Sequence, residues 1–477
     1  MKLSALALVP LAADPDIAGI TADSRAVKPG YLFAALPGAK ADGAAFIREA
    51  EEKGAAAILA LPGVKSHAPL IADTNPRKRL AEIAARFYPR QPRIIAGVTG
   101  TNGKTSTARF AAQLWRLLGE NAGSLGTLGA EARGFARKLQ HTTPDPVALH
   151  ETLDEMAGAG VTHLAMEVSS HGLAQYRADG VKFSAAAFTN LTQDHLDFHA
   201  GLDDYFNAKL RLFTELLAKG SPAVVNADGE GAGHVATSAG IAGLNVLTTG
   251  AKGGFLTLAS AAPHGRGQAI VVEHAGALTR IELALVGAFQ AENALLAAGL
   301  VIALGSDAAT VLPLLAKLEG APGRMQHVAD VAGAAIYVDY AHTPDAISTA
   351  LAAARPHTAG KLVAIIGAGG DRDRSKRPPM GAAAAAGADI VIVTDDNPRS
   401  EDPASIRREV VAGAPDALEI GDRAEAIGRA IALLEPGDVL LIAGKGHETG
   451  QVVGDKVSPF DDADVARAAA KRRERGV

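Results

Sequence analysis

The chain contains no cysteine, which excludes disulfide staples and thiolate metal sites and points to a reducing compartment. Aromatic residues make up only 4% of it, with a single tryptophan, while alanine is abundant. That balance suits alternating helices and strands better than a β-sandwich. No apolar run approaches the ~20 residues needed to span a bilayer. The stretch Met1 to Leu11 lacks the length and flanks of a secretory signal. A strong excess of one charge is missing too: the formal net charge is −5, which gives no reason to expect nucleic acid as a partner. The expectation is a cytoplasmic α/β protein without a membrane span. What the chain has is size and apolar content. Its 477 residues, 48% of them hydrophobic, suffice for about three domains at ~150 residues each.

The rest is organised around one stretch. Ile94 to Val98 reads as a buried parallel strand, and Ala108 to Leu118 reads as a helix. Between them, Gly100-Thr101-Asn102-Gly103-Lys104-Thr105-Ser106 has the residue types of a phosphate-cradling loop. Its glycines let backbone N–H groups close on phosphate, Lys104 offers a point charge, and the Thr105 hydroxyl can hold Mg²⁺. Val98 stands where the usual spacing has the first glycine. A glycine turn with a chance lysine is the competing reading, and the strand before and helix after argue against it.

Upstream, residues up to about 88 read as a small α/β module. Tyr31 to Leu36 and Ala56 to Leu61 are its expected strands, and Ala44 to Lys53 and Arg77 to Tyr88 its expected helices. Asp23-Ser24-Arg25 and the loop around Lys40 could meet an anionic ligand, although turn chemistry is the better explanation of such residues taken alone. Downstream, the strand Thr162 to Val168 carries Glu167 at its C-terminal end, where parallel sheets bind ligands. Asp194-His195-Leu196-Asp197-Phe198-His199 could ligate a metal or be a solvated turn. Lys209 shares a helical face with Phe206, Leu212 and Phe213. A lysine there should have a depressed pKa, but spacing by itself favours a snorkelling side chain whose stem covers the core.

Past Ala321-Pro322-Gly323, three expected strands each end in a polar loop. Leu362 to Gly367 leads to Arg372, Asp389 to Thr394 leads to Asp396-Asn397-Pro398-Arg399, and Val439 to Ala443 leads to Gly444 and Glu448. If the strands are parallel neighbours, the loops gather at one edge, with basic groups and interleaved acids suited to a zwitterion bearing carboxylates. Val465 to Val477 reads as a basic surface helix.

Taken in order, these motifs resemble the Mur ligases, ATP-dependent amide-bond formers of peptidoglycan precursor synthesis. The resemblance is strongest to the type that adds the third residue of the stem peptide. It covers essentially the whole chain. It rests on Gly100 to Thr105, Met166 to Gly172, Asp194 to Asp197, Ala208-Lys209, Asp339 to Asp345, Asp396 to Arg399 and Gly444 to Glu448. The absent first glycine of the phosphate loop is itself a trait of that family.

The resemblance implies three domains. Residues 1–90 would bind the UDP-linked substrate, residues 91–321 would form a central P-loop ATPase domain with a mostly parallel sheet, and residues 322–477 would form a Rossmann-like amino-acid-binding domain. It implies UDP-N-acetylmuramoyl-L-alanyl-D-glutamate at Ser24, Ala39, Lys40, Ala41, Thr142, Thr143, Ser169, Gln175 and Arg177. ATP would meet Gly100 to Ser106, Asn293, Arg324 and Asp339, and Mg²⁺ would meet Thr105, Glu167, His195 and Lys209 as a carbamate. Lys104, Glu167, His195 and Lys209 would be the catalytic set. The added amino acid would be meso-diaminopimelate, held by Arg372, Asp396, Asn397, Pro398, Arg399, Gly444 and Glu448. The far carboxylate of diaminopimelate, which lysine lacks, suits a bidentate guanidinium such as Arg399. A monomer is expected. Addition of L-lysine, a folylpolyglutamate synthase-like ligase and a nucleotide-driven protein without ligase activity are the rival readings.

Overall fold

The computed structural model describes residues 1–9, 13–38, 42–194 and 198–475. It divides into two compact units, Met1–Leu256 with Leu296–Val311, and Thr257–Leu295 with Leu312–Val477. Ala39, Lys40, Ala41 and His195, four of the expected site residues, lie outside the described residues.

The first unit begins with a four-stranded parallel sheet in the order Gly19–Thr21, Tyr31–Ala34, Ala57–Ala60, Leu70–Ala72. The expected helix from Ala44 is shorter than the spacing suggested. A 3₁₀ turn, Gly43–Phe46, precedes the α-helix Ile47–Glu52, because Asp42 caps the turn by accepting from the Ala44 N–H. Asp23-Ser24-Arg25 forms a capped turn: Asp23 caps the 3₁₀ helix Ser24–Ala26 by accepting from the Arg25 N–H.

The larger sheet of this unit places Ile94–Thr99 at its centre, flanked by Ala185–Phe188 and His163–Glu167 in parallel. Pro222–Asn226, Asn245–Gly250 and Ala122–Gly126 extend the parallel array. Gly129–Ala132 and Phe135–Arg137 finish one side in antiparallel register. Helices such as Lys104–Leu117, Pro146–Gly158 and Leu202–Thr214 accompany these strands. Pro146–Gly158 shows why such helices start where they do. The Asp145 carboxylate accepts from the Val147 and Ala148 N–H groups, and Pro146 fills a first-turn position that needs no donor.

From Thr257 on, the second unit contains the antiparallel meander of the strands Leu256–His264, Gly267–His274 and Ala277–Leu283. It also contains a six-stranded sheet in the order Gln326–Val331, Ala334–Asp339, Val439–Ala443, Leu362–Ile366, Ile390–Val393, Leu418–Glu419. All its pairings are parallel except the first. Val439–Ala443, Leu362–Ile366 and Ile390–Val393 are therefore parallel neighbours, and their polar loops leave the sheet at one edge. The five residues of Leu362–Ile366 and of Val439–Ala443 are all buried, as strands covered on both faces must be.

The C-terminal helix corrects the surface reading of the tail. It runs Asp462–Glu474 and buries Ala463, Ala466, Ala469 and Ala470 in a core with Ile336, Ile431 and Ile442. Asp462 is fully buried and takes two hydrogen bonds of 2.7 Å each from the fully buried Arg423. The same guanidinium donates to the Ala443 carbonyl at 2.9 Å, so the pair anchors the strand end that feeds the Gly444 loop. Removing one partner of a buried pair leaves an uncompensated charge. Asp462→Ala is expected to lower unfolding stability by about 3–5 kcal/mol, read as a shift of the urea midpoint; an unchanged midpoint would show that the pair contributes nothing net.

Candidate active site

The helix after the central strand starts at Lys104, not at Ala108 as the apolar spacing suggested. Gly103, at φ 85°, turns the chain straight into it. Lys104, Thr105 and Ser106 thus occupy the first helical turn, where backbone N–H groups lack intrahelical acceptors and favour an anion. Gly100 sits at φ 142°, and a side chain there would collide with the Thr189 hydroxyl. The loop is braced from one side: the Thr101 N–H donates to the Asn190 carbonyl at 2.8 Å and the Asn102 N–H to the Asn190 side chain at 3.0 Å. Lys104 Nζ donates to the Gly100 and Thr101 carbonyls at 2.9 and 2.7 Å.

Lys209 Nζ donates to the same Gly100 carbonyl at 2.9 Å and lies 3.9 Å from the centre of the Tyr205 ring. The residue is only 1% exposed, so its head does not reach water and the snorkelling reading fails. Burial pushes its pKa well below the ordinary lysine value; the Lys104 charge adds to the shift, and Asp194 opposes it. The Tyr205 hydroxyl donates to Thr101 Oγ1 at 3.1 Å, which fixes the ring under the amine.

Glu167, at the end of His163–Glu167, is buried. Its carboxylate accepts from the Thr105 hydroxyl at 2.9 Å, the Thr127 N–H at 2.8 Å and the Thr127 hydroxyl at 3.1 Å. Thr105 and Glu167 are hard oxygen donors side by side, the donor type that Mg²⁺ takes. Among the described residues no group of three His, Asp or Glu side chains could hold a metal.

The structure brings Thr142, Thr143, Ser169, Gln175 and Arg177 into one chain of contacts. Thr142 Oγ1 is 3.0 Å from Thr127 Oγ1. Thr143 Oγ1 donates to the Glu167 carbonyl at 3.2 Å and accepts from the Ser169 N–H at 3.0 Å. Arg177 donates to the Thr143 carbonyl at 2.8 Å and to the Gln175 side-chain oxygen at 2.9 Å. Ser24 has other partners, donating to Glu49 at 3.2 Å.

In the second unit Asp339 ends its strand buried and accepts from the Met325 N–H at 2.6 Å and the Ala341 N–H at 2.8 Å. Burial raises its pKa, and Arg324 and those two donors pull the other way. Asn293 is linked to Arg324 through Gln290, with contacts of 3.5 and 3.2 Å. The Arg324 guanidinium stacks 4.4 Å from the centre of the Tyr340 ring.

The three strand-end loops also meet. Asn397 donates to Glu448 at 2.7 Å. Gly444 lies against the Asp396 carboxylate, so closely that a side chain there would not fit. Arg399, following Pro398, donates to the Gly370 carbonyl at 2.7 Å. Arg372 makes a long bond, 3.4 Å, to the Asp371 carbonyl.

Sequence reasoning missed four side chains here. Thr127 holds the Glu167 carboxylate from a turn that no motif marks. Tyr205 was not singled out, although it lies one helical turn before Lys209. Lys445 is fully buried, donating to the Gly450 carbonyl at 2.6 Å and to Asn397 at 3.2 Å, with Glu448 at 3.4 Å; a lysine directly after an apolar strand was the available signal. His447 is pushed down to about 4 by burial and by Arg324. His342 has its Nδ1 2.8 Å from the Tyr340 carbonyl oxygen.

The chain matches known proteins over most of its length. The family profiles "Mur ligase family, catalytic domain", "Mur ligase middle domain" and "Mur ligase, glutamate ligase domain" match residues 16–88, 98–301 and 323–446. The UDP-N-acetylmuramoyl-L-alanyl-D-glutamate–2,6-diaminopimelate ligase of Caulobacter vibrioides is 53% identical, with 97% of each chain covered. The ligase of the same name from Mesorhizobium japonicum is 50% identical over 97% of this chain and 96% of that one. A solved structure of a ligase with this name superposes with a TM-score of 0.73 at 33% identity, covering 99% of both chains.

The Lys209 environment makes a direct prediction. In protein carrying ¹³C-labelled lysine, prepared free of CO₂ and metal, the Lys209 signal should titrate well below the other lysines. Co-titration with the exposed lysines would refute the burial effect.

Proposed function

Because this chain belongs to the Mur ligase family, we propose that it joins meso-2,6-diaminopimelate to UDP-N-acetylmuramoyl-L-alanyl-D-glutamate with hydrolysis of ATP to ADP and phosphate. The observation that carries this reading is 53% identity, over nearly the whole chain, to a ligase named for that reaction. Within it, residues 1–90 serve the UDP end, 91–321 the ATP chemistry and 322–477 the amino acid. ATP and a UDP-linked precursor are both cytoplasmic molecules, which supports a cytoplasmic location.

The substrate's free carboxylate attacks the γ-phosphorus of ATP, giving an acyl phosphate and ADP. Both reactants are anionic, so the first task is charge neutralisation. The loop geometry described above supports giving that task to Lys104 and the N–H groups of Gly103 to Ser106. Mg²⁺, when bound, would offset phosphate charge, and Thr105, Glu167, His195 and a Lys209 carbamate are the residues proposed to hold it. Thr142, Thr143, Ser169, Gln175 and Arg177 orient the peptide whose carboxylate reacts. The neutral amine of diaminopimelate then attacks the acyl carbon and phosphate leaves. Asn397 and Glu448 bind its ammonium end, and Arg372 and Arg399 bind its far carboxylate.

A neutral, buried amine is the form that can add to CO₂, losing a proton to give a carbamate, and Lys209 has that environment. Lys209→Ala is expected to be nearly inactive and to recover part of its turnover with added formate or acetate. Full activity in enzyme whose intact mass shows an unmodified lysine would count against the carbamate.

Selectivity follows from pairing. A site built around a charged partner rejects the analogue lacking it by factors on the order of 10⁴. In a screen of amines with ATP and the UDP-linked dipeptide, product should form with meso-diaminopimelate and barely with L-lysine. Arg399→Ala should raise the KM for diaminopimelate far more than it lowers kcat. Equal use of the two amines by the wild-type enzyme would overturn the assignment.

A further inference from the structure

Arg399 is held in an unusual way. Its φ is 53°, a left-handed conformation uncommon for a residue with a side chain. The backbone on both sides is fixed by the hairpin Gly450–Val453 and Lys456–Pro459: the Arg399 N–H donates to the Val452 carbonyl at 3.0 Å, and the Gly454 N–H donates to the Arg399 carbonyl at 2.7 Å. The guanidinium uses Nη1 on the Gly370 carbonyl, and its Nε and Nη2 have no protein partner among the described residues. The residue is half-buried, so one face of the fork stays available to a ligand.

The Gly370 carbonyl that aims this fork belongs to another loop, and that loop is tied across by a reciprocal clamp. Asp371, also left-handed at φ 55°, accepts from the Ser400 hydroxyl at 2.6 Å and the Ser400 N–H at 3.2 Å. In return the Asp371 N–H donates to Glu401 Oε1 at 2.7 Å. Glu401 is itself fixed by the fully buried Arg377 guanidinium, at 2.8 and 3.0 Å. Where Arg399 meets its acceptor, the Gly370 N–H also donates to the Asn397 carbonyl at 2.9 Å. Gly370 lies so tightly against Pro398 that no side chain fits. Thus the residues on either side of the Arg399–Gly370 bond, Asp371 and Ser400, bond to each other.

We propose that Asp371 and Ser400 are positioning residues that lock the Gly370 carbonyl against Arg399, and so set the enzyme's preference for an amine with a distal carboxylate. The inference rests on the reading of Arg399 given under the proposed function. The Asp371 carboxyl is held below the usual range chiefly by the Ser400 hydroxyl, with Glu401 repulsion and Arg399 attraction among the smaller influences. The Glu401 carboxyl is held down at about 2, first by Arg377 and then by the Asp371 N–H. Both stay ionised at neutral pH, so the clamp keeps its charge wherever the enzyme works. A fork aimed by a fixed carbonyl loses little freedom when it grips a carboxylate, which is why a remote hydroxyl can show in affinity.

The test uses substitutions that spare the fold. Ser400 is exposed, so Ser400→Ala removes one hydroxyl at little risk, and Ser400→Thr retains it. Asp371→Gly removes the carboxylate while tolerating the left-handed backbone. With the full-length enzyme, Ser400→Ala is expected to raise the KM for meso-diaminopimelate about fivefold and Asp371→Gly about tenfold. In both, kcat should change less than threefold, the KM for ATP should stay the same, and Ser400→Thr should retain the wild-type KM. In an Arg399→Ala background the same substitutions should add nothing, since there is no fork left to aim. A KM shift that persists in that background, or a parallel loss of kcat and melting temperature, would overturn the clamp and leave Asp371 and Ser400 as structural residues. If Arg399→Ala itself leaves the diaminopimelate KM unchanged, the reading of Arg399 fails and the clamp falls with it. If Arg399→Ala raises that KM and the clamp substitutions do not, only the present inference fails.

Discussion

Burial disfavours the charged form of a lysine amine, and the phosphate loop closes on such an amine, the Lys209 pKa being held well below the ordinary lysine value. Lys209 and Lys104 both donate to the Gly100 carbonyl. Two cations sharing one acceptor would repel, and the Lys104 charge adds to burial in lowering the Lys209 pKa. That constraint requires Gly100 to hold a conformation open to glycine, Tyr205 to lie flat under the amine, and Thr101 to fix Tyr205. The helix Leu202–Thr214 must therefore pack beside the loop with its apolar face inward, which is where Phe206, Leu212 and Phe213 bury it.

Glu167 imposes a second demand on the same region. A buried carboxylate must find donors, and it takes them from Thr105 in the first turn of the loop helix and from Thr127 in the turn after Ala122–Gly126. Three chain segments far apart in sequence are thereby pinned within one hydrogen-bonded cluster. Through Thr143, which donates to the Glu167 carbonyl, the cluster runs on to Ser169 and Arg177. Groups assigned to phosphate, metal and peptide thus form one rigid system, the condition under which electrostatic preorganisation is effective.

The second unit solves a different problem. The groups proposed to bind its ligand come from loops, which lack the rigidity of strands, so each loop is tied to its neighbours. Lys445 gathers Asn397, Glu448 and the Gly450 carbonyl, and Arg423 with Asp462 secures the strand end behind Gly444. Buried charge here supplies fixed geometry, and the desolvation it costs is offset by near-complete hydrogen bonding.

Several features were legible in the residues alone, because they depend on local order. An apolar run followed by glycines and a lysine marks a strand, a tight turn and an anion-binding helix start, wherever the rest of the chain goes. Alternation of apolar strands with polar loops sufficed for the α/β class, and a carboxylate closing an apolar run located Glu167 at a strand end. Pairings between distant segments were not legible. The apolar spacing around Lys209 was visible, but whether its head reached water depended on Tyr205 and Gly100 closing over it. Thr127 carries no local signal, since what matters is which carboxylate lies opposite it. The tail showed its basic residues but not the buried Asp462, whose partner Arg423 is remote in sequence. The sequence by itself determined which elements form and which chemistry each end can offer, because those follow from nearest neighbours along the chain. Only the tertiary structure decided which polar groups are buried together, because desolvation and hydrogen bonding act between neighbours in space.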